Sequence, residues 1–287
     1  MIRRPAIAAF LLVALVAAAG CSSDDPPPRA STTTAATATT TSSAPASGTA
    51  TTATTAATTG PPASTTGETR PLAGRVIVVD PGHNGANAAH PTETGRPVDA
   101  GGFTKPCNTT GAAEGDLTES RFNWETAQRL RTALESAGAT VVLTRTSDDG
   151  WGPCVDQRGL TGRADRTDAL VSIHADGADP AASGFHVIRP ATGPTVTPDR
   201  RDASARLADD VRAALVEQGL QPATYIGGGT GTVERTDIAT VNRAEVPAVM
   251  LESGNLHNAG DLALLGSASG QQRIADALTA ALVAYFA

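Results

Sequence analysis

The sequence predicts one α/β domain, a mostly parallel central sheet with helices on both faces. Three observations carry that expectation. Runs of β-branched and aliphatic residues recur at 76–79, 169–173 and 248–251, the mark of strands buried on both faces of a parallel sheet. Between and after them lie stretches with apolar residues at helical spacing, clearest at 119–137 and 272–286. Strands that alternate with helices build crossover units, and those units place helices over both faces of one sheet.

In chain order, the first strand covers residues 75–79 and is expected to stop at Asp80, Pro81 and Gly82, because Pro lacks the ladder donor and Gly tolerates a turn. The turn delivers His83 to the carboxyl edge of the sheet, where open α/β sheets bind ligands. Residues 84–117 are polar and rich in Gly, and a passage of this length is expected to lie over that edge. A helix then opens at Glu119, with Thr118 as its cap, Gly138 as its stop, and Phe122, Ala127, Leu130 and Leu134 on its apolar face. Residues 139–146 read as the second strand, 156–167 as an arginine-rich helix, and 169–174 as a third strand ending in His174. A strand at 184–189, a helix at 202–217, a strand at 248–252 closing on Glu252, and an amphipathic helix at 272–286 complete the order.

The chain has 287 residues, but its first quarter contributes nothing to that core. Arg3 and Arg4 precede an apolar run over 6–19, the layout of a secretory signal and too short for a comfortable membrane span. The run ends Ala18-Ala19-Gly20-Cys21, which resembles the lipobox of bacterial lipoproteins. Residues 1–21 are therefore expected to be a signal segment with Cys21 lipidated, an ordinary secretory signal being the alternative. Residues 22–72 consist largely of Thr, Ala, Ser and Pro and read as a disordered tether, which leaves 73–287 as one catalytic domain. The expected location is the cell envelope, with the lipid as the chain's contact with the outer face of the cytoplasmic membrane, or secretion without it. A formal net charge of -7 with no basic cluster argues against a nucleic-acid partner, and the sequence leaves the oligomeric state open. With Cys21 lipidated, Cys107 and Cys154 remain in a chain bound for an oxidising compartment and are expected to form a disulfide.

Five histidines are available: His83, His90, His174, His186 and His257. Two of them, His83 and His174, fall at matching strand ends, and Glu119 opens the helix between. Two neutral imidazoles and one carboxylate make the ligand set of many hydrolytic zinc sites, with a fourth position left for water. The expected cofactor is one zinc ion on His83, Glu119 and His174. Such a site also needs a carboxylate free of the metal to move protons. Glu252 directly follows Val249, Met250 and Leu251 at the rim of the core and fits that role; a helix cap or a solvated loop carboxylate is the alternative.

Four motifs then agree in order and spacing: Val78-Val79-Asp80-Pro81-Gly82-His83, Glu119 at its helix start, Val171-Ser172-Ile173-His174-Ala175, and Pro247-Ala248-Val249-Met250-Leu251-Glu252-Ser253-Gly254. Over about residues 74–287 the chain resembles the zinc-dependent N-acetylmuramoyl-L-alanine amidases of the amidase-3 class, and is similar in its insertion to actinobacterial members. The resemblance implies zinc on His83, Glu119 and His174, and Glu252 as catalytic carboxylate. It implies peptidoglycan or muropeptides as substrate, cut at the amide between the lactyl group of N-acetylmuramic acid and L-alanine. Asn255 and His257 are expected to line the cleft, a structural loop being the other reading; Arg145, Arg158 and Arg243 are candidates to hold stem-peptide carboxylates, an ordinary surface or ion-pair role being the reading that the residues favour. A different wall-directed zinc hydrolase, or a non-catalytic peptidoglycan-binding lipoprotein, are the rival readings.

Overall fold

Six strands pair into the main sheet: β1 (Val76–Pro81), β2 (Thr140–Leu143), β3 (Ala169–Asp176), β4 (His186–Pro190), β5 (Thr232–Arg235) and β6 (Ala248–Asn255). Their order across the sheet is β2-β1-β3-β6-β4-β5, and each neighbouring pair is parallel except β4 with β6. These strands come from a computed structural model that describes residues 70–287; the expected signal segment, Cys21 and the tether as far as residue 69 lie outside the described residues.

The period of two in a strand sorts the aliphatic runs onto two faces. Ile77, Val79, Val171, Ile173, Val249 and Leu251 point to one face, under the long helices α1 (Glu119–Ser136), α3 (Pro198–Glu217) and α6 (Ala268–Phe286). Phe122, Leu130 and Leu134 of α1 are fully buried there, each stabilising the layer by about 1.5–3 kcal/mol. Val78, Leu170, Ala248 and Met250 point to the other face, where the short helix α4 (Ala239–Arg243) and the segment up to Val246 cover them. The helix α2 (Val155–Leu160) lies on α4, and α5 (Ala259–Leu265) follows β6. On this second, more thinly covered face the strands become polar towards their carboxyl ends. Asp80, Ser172, His174 and Glu252 emerge there, joined by His186 at the amino end of antiparallel β4, because each is an even number of residues from a core residue of that face.

Several elements differ from the expectation. Asp80 and Pro81 belong to β1 rather than ending it, since the Asp80 carboxylate is satisfied inside the fold by Arg158, Ser172 and Thr144. The arginine-rich helix stops at Leu160, just before the turn Thr161-Gly162, instead of reaching 167. The helices α3 and α6 start earlier than their apolar spacing implied, at Pro198 and Ala268, because the side chains of Thr197 and Ser267 cap them. The edge strand β5 and the helices α4 and α5 are short and half-polar, and periodicity does not reveal them.

The passage 84–117 is not bare loop. It holds a single helical turn at Pro91–Thr94, a hairpin of Pro97–Asp99 with Thr104–Pro106, and a two-residue pairing of Ala113–Glu114 with Leu117–Thr118. Cys107 and Cys154 are disulfide-bonded, as expected, and with Val98 make a small apolar cluster that ties the insertion to the start of α2.

Candidate active site

The turn after β1 is built for close approach. Gly82 abuts the His174 ring so tightly that a Cβ there would fall 2.2 Å from its Nε2. His83 follows with φ +57°, a left-handed conformation that a non-glycine residue adopts at a cost of order 1–3 kcal/mol and that clusters at functional sites. Its Nδ1 donates to the carbonyl of Thr109 at 2.9 Å, which leaves Nε2 as the free nitrogen, 3.2 Å from Glu119 Oε1. Glu119 is the first residue of α1, where the helix dipole favours an anion. Its Oε1 lies 2.8 Å from His174 Nδ1, and its Oε2 accepts from the backbone N–H of Ala112 at 2.8 Å. Gly111, at φ +81°, makes that approach possible: a Cβ on it would fall 2.6 Å from Glu119 Oε2.

The donor atoms of His83, Glu119 and His174 thus lie within 4.8 Å of one another. Burial alone would raise the Glu119 carboxyl, but the two imidazoles outweigh it and hold it far below the usual range. Burial would likewise lower His83, and Glu119 reverses it. Two imidazoles and one carboxylate converge, with His83 oriented by Thr109 and Glu119 by Ala112, a donor set that suits a zinc ion.

Glu252 sits in β6 opposite His174 on β3 and opposite His186 on β4. Its Oε2 is buried and has no hydrogen-bond partner among the described residues. Burial first, then the charges of Glu119 and Asp176, push its carboxyl well above the ordinary glutamate value. A carboxyl raised towards neutrality can both accept and return a proton. Glu252 borders a cavity of about 220 Å³ that also exposes His83, His174 and Lys105.

Beneath the site, Arg158 is buried and clamps the β1 turn. It pairs with Asp80 at 2.8 Å and donates to the carbonyls of Pro81, His83, Gly152 and Pro153. With every nitrogen so engaged it has nothing left for a substrate carboxylate. Arg145 is also not brought to the cleft. It is 4 % exposed, donates to the carbonyls of Pro81, Ser120 and Ser147, and burial pushes its pKa down to about 10. Arg243 pairs with Asp99 in the insertion. Asn255 is fully buried, accepting from Ala178 and His257 and donating to Asp179 and Ala182, so it braces the loop after β3 and does not line the cavity. His257 turns Nδ1 to the carbonyl of Ala178 and stands against Gly177, apart from the cavity lining. Sequence reasoning missed Thr109 and Ala112, which act through backbone groups and so leave no side-chain signal, and Lys105, whose signal was its rarity.

The family profile described as N-acetylmuramoyl-L-alanine amidase matches residues 77–284. The N-acetylmuramoyl-L-alanine amidase Rv3717 of Mycobacterium tuberculosis is 40% identical over 218 residues, which is 75% of this chain and 88% of that protein. The crystal structure of the N-acetylmuramyl-L-alanine amidase Ami1 from Mycobacterium smegmatis superposes with a TM-score of 0.70 at 40% identity, covering 75% of this chain and 98% of that one. Ami1 from Mycobacterium abscessus, in its apo form, gives 0.70 at 39% identity, covering 75% and 100%. The sheet order, the convergent His83, Glu119 and His174 and a match that spans the whole described core have one explanation: the chain belongs to the amidase-3 class of N-acetylmuramoyl-L-alanine amidases.

Proposed function

We propose that this chain is a zinc-dependent peptidoglycan hydrolase that cleaves the amide between the lactyl group of N-acetylmuramic acid and the L-alanine of the stem peptide. One observation carries the reading: two imidazoles and a carboxylate converge within 4.8 Å beside a buried carboxyl oxygen that has no partner. His83, Glu119 and His174 are the residues that would hold the ion. Zinc, when bound, supplies Lewis acidity and makes water a stronger acid at neutral pH.

The chain's own residues do the rest. The Arg158 clamp holds the His83 backbone, the Thr109 carbonyl holds its ring, and the Ala112 N–H holds the Glu119 carboxylate. Glu252 accepts the proton of the attacking water on its carboxylate and returns it to the nitrogen of the departing L-alanine. Both transfers use one carboxyl, so its raised pKa serves both directions.

The substrate class places the enzyme outside the cytoplasm. The charged-then-apolar layout of residues 1–21 supports export, and Cys21 supports a lipid anchor, with the Thr- and Pro-rich segment as the spacer. Among the described residues no helix is long and apolar enough to cross a membrane.

The test is mass spectrometry of a defined muropeptide after incubation, with and without a chelator. Release of the intact stem peptide with L-alanine at its amino terminus, lost on chelation and restored by zinc, is the expected result. Cuts within the peptide or loss of acetyl groups would assign a different wall hydrolase, and binding without any cut would leave a peptidoglycan-binding protein.

A further inference from the structure

The sequence holds a single lysine among 22 basic residues, Lys105, and the fold places it at the active-site cavity. Lys105 lies on the insertion strand Thr104–Pro106, two residues before the disulfide-bonded Cys107, so its backbone position is fixed. Its ammonium donates to the carbonyl of Asp237 at 2.7 Å and has no other partner among the described residues. An ammonium carries three donors, so two remain. The arginine on the cavity wall, Arg158, has none to spare. It directs its donors to Asp80 and to backbone carbonyls, and Arg235 is paired bidentately with Asp237 at 2.6 Å.

The cavity wall is apolar at Pro106, Val155, Ile238 and Met250 and polar but uncharged at Asn108, Thr109 and Thr240, and Glu252 also borders it. A volume of about 220 Å³ is below the ~300–1,000 Å³ of sites for drug-sized ligands and matches one or two amino-acid residues. On the reading given above, the group that departs beside Glu252 is a stem peptide, and peptides of that class carry free carboxylates close to the L-alanine. A carboxylate entering the cavity meets Lys105 as the ammonium of its wall, in addition to the ion proposed on His83, Glu119 and His174. Lysine suits this duty, as a point charge on a flexible stem that can follow and release an anion.

We propose that Lys105 is a specificity-determining residue, holding the first carboxylate of the stem peptide past L-alanine and so favouring acidic over amidated peptides. The inference rests on the proposed amidase reading, and two measurements separate them. The zinc-loaded full chain is given two muropeptides that differ in having a carboxylate or a carboxamide on the residue after L-alanine. A charge-assisted hydrogen bond is about twice as strong as a neutral one, so the acidic substrate is expected to have a kcat/KM about tenfold higher. K105M is expected to bring that ratio close to one, mainly through KM, while K105R keeps the acidic substrate ahead. A K105M ratio equal to that of the wild type overturns the proposal.

The second measurement does not need turnover. Reductive methylation with a carbon-13 label modifies Lys105 and the amino terminus, and the Lys105 resonance is the one missing from K105R. The free acidic peptide is expected to shift that resonance and the amidated peptide to leave it in place. A resonance that ignores the acidic peptide overturns the role of Lys105. If the wild-type chain cuts neither muropeptide, the amidase reading fails, and the methyl resonance still decides whether this lysine binds a peptide carboxylate.

Discussion

Glu252 shows what a single residue can reveal. An apolar side chain in its place would cost nothing, whereas a buried carboxyl oxygen without a partner costs about 1–3 kcal/mol. That cost is offset only if the oxygen has work to do. Glu252→Gln keeps the shape and removes the titratable carboxylate, so cleavage is expected to fall by about 10²–10⁴-fold. Zinc content, measured by metal analysis, is expected to stay at that of the wild type, because the proposed ligands lie on the turn after β1, on β3 and on α1. A variant that cleaves normally would move the base elsewhere. The same scale shows the limit of sequence reading. His83, Glu119, His174 and Glu252 were legible because strand ends and a helix start announce where side chains go. Arg145 and Asn255 were not, because position near an edge does not say whether a side chain's hydrogen bonds are consumed inside the fold. Arg145 gives its donors to backbone carbonyls, so Arg145→Met is expected to lower the melting temperature and to leave KM for a muropeptide close to that of the wild type.

Among the elements, the connection from β1 to His83 depends on an ion pair. Burial by itself would raise the Asp80 carboxyl; Arg158 at 2.8 Å, with Ser172 and Thr144, holds it below the ordinary value instead. A folded value lower than the unfolded one contributes stability that is complete above the unfolded pKa of about 3.9 and is lost as pH falls towards the folded value. Removing one partner of a buried pair leaves the other charge unmatched, and Asp80→Asn is expected to cost about 3–5 kcal/mol at pH 7 in urea unfolding. The difference between the variant and the wild type is expected to shrink as pH falls below about 4. A gap of constant size down to pH 2 would show that Asp80 is not the titrating group. No sequence pattern exposes this pair. Asp80 read as part of a strand stop because Pro81 and Gly82 follow it, and Arg158 lies 78 residues away on a helix whose length was overestimated.

At the scale of the molecule, the site exists because the two faces of the sheet are covered unequally. Three long helices seal one face, and short α4 and the insertion cover the other, so the polar strand ends His174 and Glu252 can reach a cavity without crossing the core. The alternation that sets this face was readable from β1, β3 and β6, but the antiparallel return through β4 was not, since pairing direction leaves no trace in a five-residue run. Everything the site needs lies between Leu72, buried under the sheet, and Leu282 on α6. Residues 70–287 alone are therefore expected to unfold at the same temperature as the full chain and to cleave a soluble muropeptide with the same kcat/KM. Intact walls pose a different problem: a tethered enzyme works at an effective concentration set by its linker. On membrane-attached wall the anchored chain is expected to outpace the isolated domain, and Cys21→Ala to remove that advantage without changing the rate on the soluble substrate. Equal rates of all three proteins on wall would mean that the amino-terminal segment has no part in positioning, and a loss of soluble activity in the isolated domain would mean that the segment contributes to the fold itself.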